Sequence, residues 1–550
     1  MPSSRRNATV LALLTAVSAA LLVAGSSASG AGTPVGRLDP TFSPGGLAGV
    51  TDVVAERQFL DVAVQQDGKA VAVSDRGNGD FFVTRYNTDG SLDLGFGIAG
   101  NGTARVDIGA AGQYDEAFAV AVDAQDRIVV AGAGGAAHTD FAMVRLSPDG
   151  KTAQLNAHVH VGNAADSSTA RDVAFQSDGT IVLAGTARVA GDSDFALVRF
   201  DGASGAVIGA PVTESLGTGD EVGRGVAVYP TGPNKDKIVV VGDTGISGNS
   251  AMALIQRNVD GTVDASFGGG AGEEIIDPTT GNDSARGVAI TGSGSILVAG
   301  HNDATDRDLV LTQLLPSGAP DGAFNLGAIR TITKAGLQLA QPHPLALQND
   351  GKILIVGDSN DDIEVFRLNA DGSTDTAFGT SGDSTFDVNG NDDGNAVALD
   401  KAGNLLVVGD EDSSGGFLAR LVGSPDTDGD GVRDPVDACP TVAGTLPNGC
   451  PPPSVTPEAV LKGKKVVLDT VLTKKKASAT CPAKATVVVK TKAKTGRIKV
   501  RKQLKTTTVT GGCRVHGKVN LHAKPTKTAR IKVTLTGSKL KTKRLIAVRP

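Results

Sequence analysis

The chain has 550 residues, a formal net charge of −6, no Trp and three Tyr. So few large aromatic side chains argue against a lectin, because sugar sites commonly use them as platforms. The charge is divided sharply: residues 451–550 hold 26 Lys and Arg against two acidic residues, a balance of +24, while the rest of the chain carries −30. Such asymmetry predicts domains that have different partners or that attract each other.

Residues 1–31 have the pattern of a secretory signal peptide. Arg5 and Arg6 precede an apolar stretch over residues 10–24 that is too short to span a membrane comfortably, and small residues offer cleavage near Ala28 or Ala31. No Cys follows the stretch, as a lipoprotein would need, and no second apolar run of spanning length exists. We therefore expect an exported protein without a transmembrane segment, either secreted or associated with the cell wall.

A phrase of two short apolar strands around a polar turn occurs seven times. The first copy occupies residues 62–73, with Asp67-Gly68 at its turn, where Gly accepts positive φ. Later copies start 52 to 62 residues apart, at Val120, Val173, Val226, Val288, Leu345 and Val397. Each copy continues with a third strand, a second Gly turn and a Leu-Asp-x-x-Phe sequence such as residues 92–96. Four strands per unit are the content of one propeller blade.

The two ends of this repeat array predict a closed ring. The seventh unit lacks the Leu-Asp-x-x-Phe sequence, whereas residues 38–42 carry it before the first unit. The N-terminal segment can therefore supply the outer strand of the last blade, which leaves no blade edge exposed. The expected fold class is all-β: a seven-bladed β-propeller over residues 36–422, then a calcium-binding loop and a small Ig-like β-sandwich. An open β-solenoid or separate small sandwiches are the alternatives.

The units resemble the delta-60 type of repeat found in bacterial secreted proteins and, more loosely, NHL repeats. The resemblance depends on the Asp-Gly-Lys-Ile, Arg-Leu-x-x-Asp-Gly and Leu-Asp-x-x-Phe-Gly phrases. It implies a propeller and no particular activity.

Residues 424–451 contain a candidate calcium loop. Over residues 426–437, carboxylates stand at loop positions 1, 3, 5, 9 and 12, with Gly at position 6. That spacing wraps oxygen ligands around Ca²⁺. The expected ligands are Asp426, Asp428, Asp430, Asp434, Asp437 and the carbonyl of Val432. The segment resembles a thrombospondin type 3 repeat through Cys439, and bound Ca²⁺ would stiffen the joint between propeller and tail. An acidic flexible linker is the alternative.

Four cysteines fit an exported protein. They lie in two local clusters, which suggests the disulfides Cys439–Cys450 and Cys481–Cys513, although other connectivities stay open. Neither cluster has Cys-x-x-Cys spacing, so zinc is disfavoured.

A Pro-rich linker over residues 452–459 leads to a basic domain over residues 460–550. Its strand patterns predict a small sandwich, and the segments around Cys481 and Cys513 resemble the C-terminal Ig-like domains of actinobacterial exported proteins. We expect one sheet face to bind anionic cell-wall polymers, acidic glycans or extracellular DNA, through Lys490, Lys492, Arg497, Lys499, Arg501, Arg530 and Lys532. Docking of this face on the acidic propeller is the alternative. The domain has no aromatic residues for stacking, which argues against sequence-specific nucleic-acid binding.

Ligand sites of propellers lie at the mouth of the central channel. The residues two before the inner strands are Leu60, Phe118, Arg171, Arg224, Arg286, His343 and Asn395. The last five form a candidate rim for an anionic ligand. Structural ion pairs with nearby acids are the alternative; the candidates are Asp115, Glu116, Asp172, Asp220, Glu221 and Asp283.

None of the seven rim positions is a carboxylate, so we expect no catalytic residue and no enzyme. His158 and His160 share a strand face, but without an evident third ligand they are expected to be surface residues. The predicted function is an exported calcium-binding scaffold for binding or adhesion at the cell envelope or extracellular matrix. The alternatives are a propeller hydrolase or lyase with a site at the channel mouth, and a purely structural envelope protein.

Overall fold

The computed structural model describes residues 34–424 and 459–547 with short gaps. The gaps are 44–47, 52–53, 56–57, 75–78, 109–114, 136–139, 164–165, 218, 247, 304–306, 335, 339–343, 412–414, 463–464, 474–483, 494–495, 510–511, 522–528 and 536–542. The chain divides into two compact units, residues 1–441 and 442–550.

The first unit contains seven antiparallel sheets, one per blade, with an inner, second, third and outer strand. The inner strands are Phe59–Val64, Glu116–Val122, Ser168–Phe175, Glu221–Val228, Asp283–Ile290, Leu337–Gln338 with Leu345–Leu347, and Asp392–Leu399. The second strands are Ala70–Ser74, Ile128–Gly134, Ile181–Val189, Ile238–Ile246, Ile296–Asn302, Ile353–Ser359 and Leu405–Glu411. The third strands are Phe81–Tyr86, Asp140–Leu146, Asp192–Phe200, Asn249–Arg257, Asp308–Leu314, Asp362–Leu368 and Gly415–Leu421. The outer strands are Thr103–Val106, Ala153–Val159, Val212–Glu214, Glu273–Ile276, Arg330–Ile332, Asp383–Phe386 and Val54–Ala55.

The prediction of an all-β chain with a seven-bladed propeller is confirmed. Helix in the described residues is limited to two 3₁₀ turns, Gly268–Gly270 and Asn325–Gly327. Within each blade the hairpins turn on glycines with positive φ, for example Gly68 at 87°. Glycine has no Cβ to clash in this region, so a local signal in the sequence produces the hairpin.

The N-terminal segment lies against the last blade. Val54–Ala55 pairs with Gly415 and Gly416 on the third strand of blade seven, and Leu38 forms an isolated bridge with Leu421. An apolar cluster then joins Phe42 and Phe59 to Val408 and Leu418, so blade seven packs against blade one. Burying each such side chain fully stabilises the ring by about 1.5–3 kcal/mol.

The Leu-Asp-x-x-Phe sequence is a structural device that stacks neighbouring blades. In blade one, Asp93 accepts hydrogen bonds from Arg85 and Lys69, at 2.9 and 2.8 Å. The Arg85 guanidinium lies 4.5 Å from the ring centroid of Phe96, which is fully buried. A Cβ on Gly150, in the next blade, would lie only 2.3 Å from that ring. The outer strand follows this sequence in the chain.

The second unit is a single path of seven antiparallel strands. In spatial order they are Ala459–Lys462, Lys465–Thr473, Gly512–Asn520, Gly496–Val509, Lys484–Ala493, Ala529–Leu535 and Lys543–Ala547. The long strand Gly496–Val509 pairs with one neighbour over residues 496–505 and with the other over residues 506–509. The unit is all-β as expected, and its Ig-like character stays a prediction.

Candidate functional site

The inner strands share an irregularity at the end where they begin. In six blades the register shifts there by one residue, as between Ala170 and Asp172 of blade three. The residues left between the ladder positions are Leu60, Phe118, Arg171, Arg224, Arg286 and Asn395. A bulge bends the strand and re-aims a side chain, and bulges are common beside active sites. We call this end of the ring the channel entrance. In blade six, His343 lies outside the described residues.

Three consecutive blades each place an arginine at this bulge. We call Arg171, Arg224 and Arg286 the arginine arc. Arg224 Nε donates to Asp243 Oδ1 at 2.6 Å, and the Arg171 guanidinium lies 5.2 Å from the ring centroid of Phe118. Glu116 and Asp243 both attract Arg171 electrostatically. The pairing of Arg224 with Asp243 was not among the ion pairs expected from the sequence.

Arg286 has no comparable partner. Its Nε is buried and makes no hydrogen bond to any described residue. Burial, reinforced by repulsion from Arg224, lowers the pKa of Arg286 to about 9, with Asp243 opposing the change. The arginine arc therefore carries more positive charge than its described surroundings neutralise.

The second strands bring carboxylates to the same end. Asp358 and Asp410 each directly follow a second-strand glycine, and Asp393 on the inner strand of blade seven lies opposite Asp410 in the register. We call Asp358, Asp393 and Asp410 the aspartate cluster. Asp358 is only 5% exposed. Burial, with repulsion from Asp393 and Asp410, raises the pKa of Asp358 to about 7, while Arg307 opposes the change.

His301 occupies the equivalent second-strand position in blade five, the blade that also contributes Arg286. It is 4% exposed, and burial together with Arg286 and Arg307 lowers its pKa to about 4. Its imidazole is therefore neutral at pH 7. It does not add to the charge of either group.

Several nearly buried polar atoms at this entrance make no hydrogen bond within the described part of the chain. They include Arg286 Nε, His301 Nδ1, Asp358 Oδ1 and Asn395 Oδ1. Buried polar atoms are normally paired, because an unsatisfied one costs about 1–3 kcal/mol. Together with the bulges and the charged side chains at the same end of the ring, these atoms make the channel entrance the candidate site.

The aspartate cluster was not predicted from the sequence, because its members do not occupy the position two before an inner strand. A usable signal was present: Val-Gly-Asp recurs at residues 241–243, 356–358 and 408–410, at the same point of three second strands. An inner and a second strand pair side by side, so both contribute side chains to the same end of a blade. The seven positions named from the sequence carry no carboxylate, but other positions of the inner and second strands bring carboxylates to the same end of the ring.

The other predicted sites are placed as follows. The calcium-loop residues, together with Cys439, Cys450 and Cys481, lie outside the described residues, and Cys513 lies on the strand Gly512–Asn520. His158 and His160 place Nδ1 atoms 3.2 and 2.8 Å from the two carboxylate oxygens of Asp140. Among the described residues, no three His, Cys, Asp or Glu side chains are grouped as metal ligands.

The register of the C-terminal sheet relates the predicted basic positions to one another. Lys490 is the Cα partner of both Lys499 and Arg530. The remaining positions stand at even offsets from these three along the same strands; they are Lys492, Arg497, Arg501 and Lys532. Positions that pair directly or alternate by two belong to one face of a sheet. Lys499 and Arg501 are exposed, while Val487 and Leu504, at positions of the other parity, are buried.

Four blades match a family model described as a beta-propeller domain of unknown function, DUF5122, over residues 65–96, 176–206, 236–267 and 348–378. That match supports the delta-60 resemblance of these units. The thrombospondin type 3 and Ig-like resemblances stay predictions. No curated protein matches the chain.

Solved structures similar to the chain include three propeller enzymes. A PL25 ulvan lyase bound to -[GlcA(1-4)Rha3S]- is 14% identical, covering 71% of this chain and 96% of its own, with a TM-score of 0.42. The periplasmic gluconolactonase of Pseudomonas aeruginosa is 13% identical over 60% and 84%, with a TM-score of 0.35. A glucose dehydrogenase is 13% identical over 67% and 98%, with a TM-score of 0.35. Similarities this remote transfer no activity.

The expectation that the chain is not an enzyme is wrong in excluding catalysis. It depended on a rim without carboxylates, whereas Asp358, Asp393 and Asp410 lie at the channel entrance. The similar structures also include polysaccharide lyases, a gluconolactonase and a dehydrogenase. In the part of the chain that the structure describes, no helix is both long and apolar enough to span a membrane.

Proposed function

We propose that the propeller binds the anionic group of a ligand at the channel entrance, through the arginine arc. The supporting observation is Arg286, whose buried Nε has no hydrogen-bond partner and which forms no ion pair with a described residue. An ion held away from water without a partner costs several kcal/mol. A carboxylate, sulfate or phosphate would supply that partner, because its oxygens match the planar guanidinium fork.

The other two arginines support this role through their own contacts. Asp243 holds Arg224 at 2.6 Å and itself accepts from Ser284 Oγ at 2.8 Å, so the position of this guanidinium is determined by two neighbouring blades. Arg171 is oriented by the Phe118 ring. The arc thus presents cations that are already ordered, which lowers the entropic cost of binding. A chemical step on the bound ligand is compatible with this site, since the aspartate cluster lies at the same entrance.

The test compares two variants of the full chain. Arg286→Gln removes the arginine of the arc that forms no ion pair with a described residue, whereas Lys151→Gln removes one positive charge from an exposed turn at the opposite end of blade two. Isothermal titration with sulfate, phosphate and citrate should show affinity at least about ten-fold weaker in Arg286→Gln, the loss expected for a buried charge contact. Lys151→Gln should bind as the native chain does. Equal affinities in both variants, or no uptake of any of the three anions by the native chain, would refute the proposal.

We also propose that the protein is an exported scaffold whose basic C-terminal face contacts polyanionic surface polymers. The support is the shared register of the seven cationic positions, in which Lys490 has Lys499 and Arg530 as cross-strand partners. Like charges directly opposite one another destabilise a sheet unless an anion neutralises them. An extended anionic polymer would neutralise such a row.

The calcium proposal concerns residues 426–437, which lie outside the described residues. Carboxylates at alternating positions, with Gly at position 6, are the supporting sequence pattern. Isothermal titration of the full chain with Ca²⁺ should show uptake that Asp428→Asn weakens. Absence of uptake by the native chain at millimolar Ca²⁺ would refute this assignment.

A further inference from the structure

We propose that the ligand is zwitterionic: its anionic group binds the arginine arc and its ammonium group binds the aspartate cluster. This inference rests on the proposed anion site and names the class of compound that the whole entrance selects.

The charges without an ion-pair partner at the entrance belong to different blades. In blade four Arg224 is paired with Asp243, whereas Arg286 in blade five forms no ion pair with a described residue. The aspartates lie in blades six and seven. Opposite charges that folding served only to neutralise would be paired with each other, yet Arg286 is not paired with Asp358 or Asp393.

Two members of the aspartate cluster have no ion-pair partner among the described residues. Neither Asp358 nor Asp393 forms an ion pair with any described Lys, Arg or His, and Arg307, which attracts Asp358, is itself 3.0 Å from Asp303. Asp410 beside them accepts amide hydrogen bonds from Asn395 and Gln58, at 2.8 and 3.1 Å. When ionised, Asp358 and Asp393 therefore have no described cation to neutralise them, and a ligand can supply one.

The charged groups on the two sides of the entrance have unpaired buried atoms of opposite kinds. On the arginine side, Arg286 Nε is an unpaired donor. On the aspartate side the unpaired atoms are acceptors: Asp358 Oδ1 in a side chain 5% exposed, and Asn395 Oδ1 in one 1% exposed. The amide orientation of Asn395 follows from its network, because Nδ2 donates to two acceptors, the Phe59 carbonyl and Asp410.

These acceptors suit an ammonium group better than a metal ion. An ammonium carries three donors and no acceptor, so it can use separate oxygens such as Asp358 Oδ1 and Asn395 Oδ1. A divalent cation needs several oxygens at about 2.0–2.6 Å. No described group of three or more carboxylate, His or Cys side chains has that arrangement.

The experiment uses matched pairs of probes that differ only by an ammonium group. The pairs are 4-aminobutanoate with butanoate, 6-aminohexanoate with hexanoate, and 8-aminooctanoate with octanoate, so that the length spanning the two arcs need not be assumed. Titrations of the full chain at pH 8, with EDTA present, should show at least one amino acid binding ten-fold or more tightly than its alkanoate. In Asp358→Asn this ratio should fall below two-fold.

Controls separate this inference from the proposed anion site. Asp67→Asn removes a carboxylate from an exposed turn at the other end of blade one and should preserve the ratio, whereas Arg286→Gln should weaken both members of a pair. If Asp358→Asn does not fold, Asp393→Asn replaces it. Alkanoates that bind while the ammonium adds nothing would overturn the zwitterion inference alone. A ratio that survives both aspartate variants would also overturn it, and a chain that binds no probe would overturn the anion site as well.

Discussion

Replacing Arg286 by Met should stabilise the ligand-free propeller. The side chain is largely buried, its Nε is unpaired among the described residues, and Arg171 and Arg224 repel it. Burial and this repulsion lower the pKa of Arg286 to about 9, which corresponds to an upper bound of roughly 5 kcal/mol for the cost of keeping the side chain charged. Apolar replacement of buried charges has typically gained about 1–4 kcal/mol, and we expect a gain in that range.

The matched control is Arg367→Met in blade six. Arg367 is also a buried arginine of a blade, but unlike Arg286 it has partners: its Nε lies 2.8 Å from Asp375 and its guanidinium lies 4.7 Å from the ring centroid of Phe378. Removing it leaves a buried carboxylate with less compensation, so this variant should lose stability, by up to about 3–5 kcal/mol. Comparing the two variants shows whether the change in stability depends on the arginine having an ion-pair partner and not only on the removal of a buried arginine.

The assay is denaturant unfolding at low salt, with the propeller transition followed in the presence and absence of sulfate. Without sulfate Arg286→Met should unfold at a higher denaturant concentration than the native chain. Sulfate should raise the midpoint of the native chain and leave that of Arg286→Met unchanged, because a ligand stabilises only a folded state that binds it. If Arg286→Met unfolds at a lower denaturant concentration than the native chain, or if sulfate shifts the midpoints of both proteins equally, the proposal that Arg286 binds an anion is refuted.

Three further predictions follow from particular contacts. The folded-state pKa of Asp358 is raised to about 7, so protonation of this carboxyl stabilises the fold below the unfolded pKa near 3.8, and this stabilisation is lost as the pH rises through 7. Unfolding curves between pH 4 and 8 should therefore show the free energy of unfolding falling by at most about 4 kcal/mol, and Asp358→Asn should abolish this fall. Gly150→Ala should lower the free energy of unfolding by about 1–3 kcal/mol more than Gly179→Ala. Both glycines have positive φ, but only at Gly150 would the new Cβ lie 2.3 Å from a phenylalanine ring. Equal melting temperatures of the two variants would contradict this prediction. Lys499→Gln should elute from sulfated-dextran resin at lower salt than Lys502→Gln. Lys499 belongs to the basic face, whereas Lys502 has the other parity on the strand and donates its Nζ to a backbone carbonyl at 2.9 Å. Identical elution of the two variants would argue against the basic face.

The ring itself was predictable because its signals are local. An Asp-Gly turn between two short apolar strands produces a hairpin wherever it occurs, and seven such turns at similar spacing produce seven blades. The Leu-Asp-x-x-Phe sequence was recognisable for the same reason. Its function of stacking Phe96 beneath Gly150 became evident only in the structure, because the two residues belong to different blades.

The candidate site was only half predictable. Arg171, Arg224 and Arg286 recur at one offset within the repeat, so their common position at the entrance follows from the repeat. Asp393 and Asp410 meet through strand register, and Asp358 reaches them from another blade. The sequence alone also did not indicate that Arg224 would pair with Asp243 while Arg286 lacks a described partner.

By itself the sequence determined the blade, its sevenfold repetition and the offset at which the arginines occur, because turn chemistry and strand alternation act over a few neighbouring residues. The tertiary structure alone decided which charges are compensated and which are not. Compensation depends on burial and on distances between blades, and those quantities exist only once the ring has closed.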